Sequence, residues 1–305
     1  MSIVLAATQA DRRRAARLAR EAIAAVTKDA DANAAKVLQA LEESRARLVA
    51  MLQGTEFDQA FARRMLMETD REINRLRAMI QPTLAQSLAQ TMRSADAFIV
   101  SEAARQLGQA MNTPALSMEL IDLAQRDSIV LVQQITEDAR KQIANALRRG
   151  ATGSMGPSDV ARSIGGTLER AQREPSVFGD LAQQVEKVHR TETGRLYEHA
   201  AEVRRNRIAK EDTGLRVTKT WVHVLRGRRY ARPDHEYLHL VTIPHDEHFN
   251  VGAGPTWSRV SYEEAQRQGG TLGFRASGPL DGALPAKQAV RCGCTVATGF
   301  EKETT

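Results

Sequence analysis

The apolar positions in the first half of the chain predict long amphipathic helices. Apolar residues recur there at spacings of three or four, which places them along one face of an α-helix. We expect the resulting helices to pair as antiparallel hairpins. The three series are Val37, Leu41, Leu48 and Leu52; Ile73, Leu76, Ile80, Leu84 and Leu88; and Leu116, Leu120, Leu123, Leu131, Ile135, Ile143 and Leu147.

Glycine and proline predict where these helices begin and end. Gly54 separates the first helix from the second, and Pro82 should kink the second helix or begin a new one, because proline has no backbone N–H donor. Thr113 and Pro114 predict the N-cap and the first residue of the third helix, which should end at Gly150.

The pattern changes after residue 149. A short helix should begin at Pro157 and end at Gly165, and a longer helix should follow Pro175 and end at about Lys210. Short β-like segments come next, and the second half is therefore predicted to be a smaller α+β domain. The predicted strands are 217–225 around Trp221, 238–243 and 289–296. The predicted domains are 1–149, a helical scaffold or partner-docking region, and 150–305.

Composition favours a soluble chain with a buried core. Of the 305 residues 42% are hydrophobic and 26% are charged, and no apolar run is long enough for a secretion signal or a transmembrane span. Residues 1–149 hold no His, Cys, Trp or Tyr. Site chemistry is therefore expected in the second half, and a bundle or a partner-docking stalk in the first.

The net charge of +6 favours a polyanionic partner. Between Asp212 and Asp234 there is no acidic residue, although six basic residues lie there. Because aromatic residues make up only 4% of the chain, we expect contact with the DNA backbone and no base stacking. A solvated helix end is the alternative for the first three of the candidate residues, which are Arg204, Arg205, Arg207, Arg216, Lys219, Arg226, Arg228, Arg229 and Arg232.

Histidines and cysteines in the second half predict a metal site. All seven histidines lie between His189 and His248, and Cys292 and Cys294 are one residue apart, too close for an unstrained disulfide. Cys292, Cys294, His235 and His239 together form a candidate N2S2 zinc site. Two alternatives stay open: His245 or His248 replaces one of these histidines, or these are loop histidines and two buried thiols without a metal.

Motifs of the common hydrolase and nucleotide-binding classes are absent from the sequence. It contains no phosphate-binding loop, no dinucleotide-binding glycine motif, no nucleophile elbow and no H-E-x-x-H. The helical run from Arg190 to Thr193 is best explained by structural ion pairing. We therefore expect no enzymatic activity, with a zinc-dependent hydrolase or nuclease as the alternative.

Several short motifs follow one another from residue 150 to about 300. They are Arg190-Thr191-Glu192-Thr193, Lys219-Thr220-Trp221, Arg232-Pro233-Asp234-His235 with Leu238, Ile243-Pro244 with Asp246, Glu247 and Phe249, and Cys292-x-Cys294. In this order they resemble the phage head morphogenesis domain of the Mu F-like minor head protein family. Where that family has Leu-Asp-Gly, this chain has Leu238-His239-Leu240.

This resemblance implies a minor component of a tailed phage or prophage head. Proteins of this kind associate with the portal protein and packaged genomic DNA, and they act in head morphogenesis and in genome packaging or ejection. The implied partners are the portal, non-specific phage DNA, and scaffold or major capsid protein, with no membrane. The implied location is the interior of the virion head, after assembly in the bacterial host cytoplasm.

Overall fold

The protein is mainly helical, with a small sheet-containing region near its end. The computed structural model describes residues 9–53, 57–111, 114–166, 168, 175–211, 214–223, 233–252, 264, 273–281, 283–284, 292 and 294–302. Most of them lie in helices, whose bounds are α1 (Gln9–Leu52), α2 (Gln59–Leu107), α3 (Met118–Ala151), α4 (Pro157–Gly165) and α5 (Val177–Glu211).

The strands follow α5 and complete the predicted α+β fold, which is thereby confirmed. The bounds are β1 (Leu215–Val222), a 3-10 helix (Pro233–Leu238), β2 (Thr242–Pro244), β3 (Phe249–Gly252), β4 (Gly273–Ala276) and β5 (Thr295–Lys302). β1 is the central strand of an antiparallel sheet of order β2-β1-β5, and β3 pairs antiparallel with β4.

The chain divides into two compact units, each built from separate stretches of sequence. The helical unit consists of Ala30–Ser87 and Asp122–His189, and the mixed unit of Met1–Asp29, Leu88–Ile121 and Arg190–Thr305. The boundary expected at residue 150 lies in the last turn of α3 and does not separate these units.

Polar contacts join the helices of the helical unit. Gln125 Nε2 donates to the Ala85 carbonyl at 2.8 Å, Arg77 Nε donates to Thr136 Oγ1 at 2.7 Å, and Arg140 contacts Asp70 at 3.2 Å. Along these contacts the residue numbers increase on α3 while they decrease on α2, so the two helices run antiparallel, as predicted. The buried apolar residues of this unit include Val37, Leu41, Leu48, Leu52, Ile73, Leu76, Ile80, Leu84, Ile143 and Leu147.

Three details of the helices add to or correct the sequence predictions. Pro82 lies inside α2, which runs from Gln59 to Leu107, so no new helix begins at this proline. α3 begins at Met118, where the Ser117 hydroxyl accepts the Leu120 N–H at 3.4 Å; Thr113 and Gly54 lie outside the described residues. Leu123 is 59% exposed and does not belong to the buried stripe.

The two later helices begin as predicted. Pro157 occupies the first turn of α4, where its missing N–H costs no hydrogen bond. α5 begins at Val177, and the Ser176 hydroxyl caps it by accepting the Gly179 N–H at 3.0 Å. None of the helices in the described part of the chain combines the length and hydropathy needed to cross a bilayer.

Two of the apolar clusters in the described part of the mixed unit lie at the two ends of the sheet. One joins α2 and α5 to the first half of β1 and the end of β5, and includes Ile99, Ala201, Leu215 and Phe300. The other lies at the opposite end of the sheet, and we call it the sheet-end cluster. Its buried members are Trp221, Leu238, Val241, Ile243, Phe249, Val251, Ala276, Leu284, Cys294 and Val296.

The strand predictions located the sheet only in part. β1 covers 215–222 and so includes most of the predicted 217–225, of which 224 and 225 lie outside the described residues. Of the predicted strand 238–243 only Thr242 and Ile243 are in a strand, β2. The 3-10 helix ends at Leu238, and Leu240 has φ 65°, a left-handed conformation that interrupts an extended strand. β5 begins at Thr295 and so covers the last two positions of the predicted 289–296, of which 289–291 and 293 lie outside the described residues.

Candidate metal centre

The ladder between β1 and β5 brings a histidine and a cysteine together. In the antiparallel register Val222 lies opposite Thr295. The next residue on each side is therefore His223, directly after β1, and Cys294, directly before β5. Cross-strand neighbours in such a ladder have closely spaced side chains. His223 Nδ1 lies 3.2 Å from Cys294 Sγ, and both residues are buried.

The 3-10 helix supplies a second histidine to the same place. His235 is fully buried, and its ring packs edge-on against Trp221 with 5.4 Å between the ring centroids. Its Nδ1 lies 3.5 Å from Cys292 Sγ and 3.7 Å from Cys294 Sγ. A ring held by this packing keeps its nitrogen directed at both sulfurs.

His235, Cys292 and Cys294 form a group that could hold a metal ion. Their candidate ligand atoms all lie within 4.8 Å of one another. Zinc bonds to sulfur at about 2.3 Å and to nitrogen at about 2.0–2.1 Å, so neighbouring ligand atoms of a tetrahedral site are about 3.6 Å apart. The two distances from His235 to sulfur match this spacing, and sulfur with imidazole nitrogen is a donor set that suits zinc.

The electrostatic environment favours a thiolate at Cys292. Hydrogen bonding with Cys294 is the main cause that holds the pKa of the Cys292 thiol well below its usual value. Burial acts in the opposite direction, while His235 lowers this pKa further. A thiolate is the form of cysteine that binds metals.

His239, the fourth predicted ligand, is not part of this group. Its Nδ1 accepts the backbone N–H of His223 at 3.2 Å. Burial lowers the pKa of His239 below its usual value, and His223 lowers it further, so its ring is neutral and able to accept. The H-x3-H spacing suits an α-helix, but a 3-10 helix has about three residues per turn and directs position i+4 elsewhere. The 3-10 helix also ends at Leu238, before His239.

The two alternative histidines lie in the turn between β2 and β3. His248 is exposed and His245 is half-buried, and within the described residues neither belongs to the metal-binding group. His223, which the sequence analysis did not name, also lies outside the group of three, although its Nδ1 is beside Cys294 Sγ. The sequence shows that His223 directly follows the apolar segment around Trp221. Only the strand register shows that Cys294 lies opposite it.

Three residues predicted to face DNA are buried instead. Arg204 is 2% exposed and holds Asp96 through two contacts of 2.5 Å, from Nε to Oδ1 and from Nη2 to Oδ2. Arg205 donates to Thr298 Oγ1 at 3.3 Å, and Lys219 Nζ lies 5.6 Å from the centroid of the Phe249 ring. All three side chains therefore lie in the interior of the mixed unit.

The other predicted DNA contacts are divided between exposed residues and undescribed ones. Arg216 is exposed on β1, and Arg207 is half-buried and donates to the carbonyls of Pro114 and Ala115. Arg226, Arg228, Arg229 and Arg232 lie outside the described residues.

The run from Arg190 to Thr193 on α5 includes the ion-paired carboxylate that its sequence predicts. Glu192 is buried and contacts Arg195 one turn later at 2.6 Å. Thr193 is fully buried. This geometry agrees with the structural ion pairing expected for the segment.

No protein-family model, curated protein or solved structure matches this chain.

Proposed function

We propose that this protein is a minor head protein of a tailed phage or prophage, associated with the portal and with packaged DNA. In this proposal the mixed unit is a structural domain stabilised by zinc, and the long helices form the region that docks on partners. The role is in head morphogenesis and in genome packaging or ejection, and the protein acts inside the virion head after assembly in the host cytoplasm.

The observation that carries the proposal is the convergence of motifs that are far apart in sequence. Trp221, Ile243, Phe249 and Cys294 come from three of the segments on which the resemblance rests, and all four residues belong to the sheet-end cluster. His235, from a fourth segment, packs on Trp221. A shared core would explain why motifs that are far apart in sequence occur in the same order in this chain and in the family that it resembles.

The position where the family has glycine adds support. Leu240 occupies that position and has φ 65°, a conformation that glycine adopts without strain and other residues rarely adopt. The preceding position is Asp in the family and His239 here, where the side chain accepts a backbone N–H. A carboxylate is also an acceptor, so the same turn accommodates both sequences.

The DNA-contact part of the proposal now rests on fewer residues. Arg216, ten positions before Arg226 in the sequence, is exposed, whereas Arg226, Arg228 and Arg229 lie outside the described residues. Charge reversal at Arg226, Arg228 and Arg229 should weaken DNA binding and flatten its dependence on salt. With fewer phosphate contacts, fewer counterions are released from the DNA when the protein binds. Unchanged binding would remove the DNA contact and leave the assembly role.

Exposed apolar residues on α3 favour a docking role for the helical unit. Leu123 is 59% exposed and Val130 is 49% exposed. Seven residues apart on one helix, they lie on the same face. The portal protein is the partner we propose for this region, with scaffold or major capsid protein as the other candidates.

The experiment that tests this function is a count of subunits in purified particles. Quantitative mass spectrometry of particles and precursor heads should find this chain at a low, fixed ratio to the portal protein and far below the major capsid protein. Absence of the chain from both preparations would overturn the proposal.

A zinc-dependent hydrolase or nuclease is the second candidate, and one observation favours it. The metal-binding group has three members, and catalytic zinc typically keeps three protein ligands with water in the fourth position. A plasmid-nicking assay on the zinc-loaded chain, with a chelator control, tests this candidate. Nicking that the chelator abolishes would support the hydrolase, and no nicking would remove it.

A further inference from the structure

We infer that His223 is the fourth ligand of the zinc centre and closes it as a structural His2Cys2 site. The inference rests on the zinc centre of the proposed function and deepens it, because the fourth ligand decides between a structural and a catalytic role. Its consequence is that no coordination position is left for a water molecule.

The backbone position of His223 is fixed by the sheet. β1 pairs with β5 over its whole length, from Leu215 opposite Lys302 to Val222 opposite Thr295. A residue that directly follows such a ladder has little freedom in the position of its Cα. His223 is therefore held beside Cys294 whether or not a metal is bound.

The side chain of His223 is at ligand spacing from one sulfur of the group. His223 is not among the residues whose candidate ligand atoms all lie within 4.8 Å of one another, so closing the site would bring its ring nearer to His235 and Cys292. His223 Nδ1 is 3.2 Å from Cys294 Sγ, close to the spacing of about 3.6 Å expected between nitrogen and sulfur on one tetrahedral zinc. His223 is only 9% exposed, and Cys294 is 5% exposed. Cys294 Sγ therefore lies between two imidazoles, with His235 Nδ1 at 3.7 Å on another side.

His239 is a positioning residue for His223. Its Nδ1 accepts the His223 backbone N–H, which fixes the peptide from which the His223 ring projects. Because His239 Nδ1 accepts this hydrogen bond, the same nitrogen is not available as a metal ligand. An acceptor that orients a metal ligand typically changes affinity by about 10- to 100-fold when it is removed, without changing the ligand set.

Four protein ligands give the site a structural role. Structural zinc is almost always bound by four protein side chains, whereas catalytic zinc keeps an open position. With His223, His235, Cys292 and Cys294 the ion would join the end of β1, the 3-10 helix and the start of β5. The hydrolase candidate would then lack a site for its water.

The test uses cobalt as a spectroscopic probe in the full-length chain, with competition against zinc for affinity. The variants are His223→Ala, His239→Ala and His223→Cys. His248→Ala is the matched control, since this exposed histidine lies in the same unit outside the metal-binding group. Circular dichroism of each variant verifies that the helices are folded.

The wild type and His248→Ala should give the intense visible bands of tetrahedral cobalt. His223→Ala should lose at least 100-fold in zinc affinity and lose the tetrahedral spectrum. His239→Ala should keep that spectrum with a smaller loss of affinity. His223→Cys should restore tetrahedral binding and raise the sulfur-to-cobalt absorption by about half, because three thiolates replace two.

Three results would overturn the inference. If His223→Ala binds metal like His248→Ala, the fourth ligand is not His223, although the zinc centre stands. If His239→Ala abolishes the tetrahedral spectrum while His223→Ala retains it, His239 is the ligand. If the wild type binds neither metal, the zinc centre itself fails, and the particle count still tests the head-protein role separately.

Discussion

At the scale of single residues, the mixed unit is notable for cations that it buries. Arg204, Arg205 and Lys219 are each at most 2% exposed. A buried charge is expensive unless a partner compensates it. Arg204 has such a partner in Asp96, whereas burial and the charge of Arg205 lower the pKa of Lys219 to about 8.

Removal of Asp96 should strongly destabilise the protein. Asp96→Ala leaves the buried Arg204 guanidinium without its carboxylate, a change that typically costs about 3–5 kcal/mol of the free energy of unfolding. Urea denaturation measures this loss. The control is Glu21→Ala, which breaks an exposed pair with Arg17 and should cost less than about 1 kcal/mol. Equal effects of the two substitutions would refute the buried pair.

Lys219 should give the protein an unusual dependence on alkaline pH. Its pKa is about 8 in the folded chain and about 10.5 when unfolded, so between these values the unfolded state binds more protons and stability rises with pH. Below pH 8 the buried charge costs about 3 kcal/mol relative to a neutral side chain. Lys219→Met should therefore raise stability at pH 7.

The pH profile separates this effect from a simple change in packing. Denaturation midpoints measured from pH 7 to pH 10.5 should rise for the wild type by more than for Lys219→Met. If both proteins show the same slope, Lys219 is not the titrating group.

Only some of the candidate site residues could be predicted from the sequence. His235, Cys292 and Cys294 could be identified as a group because histidine and cysteine are few and clustered. His223 and the burial of Lys219 depend on strand register and on which face of β1 is covered, and neither follows from local sequence. Of the three buried cations only Lys219 lies in the acid-free stretch, and the absence of acidic neighbours did not indicate that its side chain is buried.

At the scale of elements, α2 is continuous through a proline. Pro82 is exposed, while Ile80 and Leu84 on either side are buried. The apolar stripe therefore keeps the helix together at a position where proline alone would interrupt it. The apolar stripe was predictable from the sequence. Whether its burial is sufficient to keep the helix continuous at Pro82 depends on how well α2 packs, and the spacing of apolar residues does not measure packing.

Pro82→Ala should stabilise the protein. The substitution restores a backbone N–H that can donate to the Ala78 carbonyl, and alanine has the best intrinsic helix propensity. We expect a gain of about 1–3 kcal/mol in thermal or urea unfolding. Pro157→Ala at the start of α4 is the control and should give no gain, because proline is favoured there. A loss of stability for Pro82→Ala would contradict the account of α2.

The strands were less predictable than the helices for a physical reason. A stripe over many turns of helix gives a long periodic signal, whereas β2, β3 and β4 contain three or four residues each. Their existence depends on pairing with distant partners. The segment 238–243 is apolar enough to suggest a strand, but the left-handed Leu240 turns the chain there.

At the scale of the whole molecule, the two units should respond differently to metal removal. The helical unit contains no member of the metal-binding group, whereas the sheet-end cluster includes Cys294 and packs against His235 through Trp221. Chelation should therefore change the fluorescence of Trp221 while the helical circular dichroism changes little. A Trp221→Phe variant assigns the signal. No change on chelation would show that the cluster is stable without a metal.

X-ray absorption at the zinc edge on the full-length chain, purified under reducing conditions, tests the central claim most directly. The account predicts one zinc per chain with two sulfur neighbours at about 2.3 Å and two imidazole nitrogens at about 2.0–2.1 Å. A zinc shell of nitrogen and oxygen without sulfur, or a folded chain that contains no zinc, would contradict it.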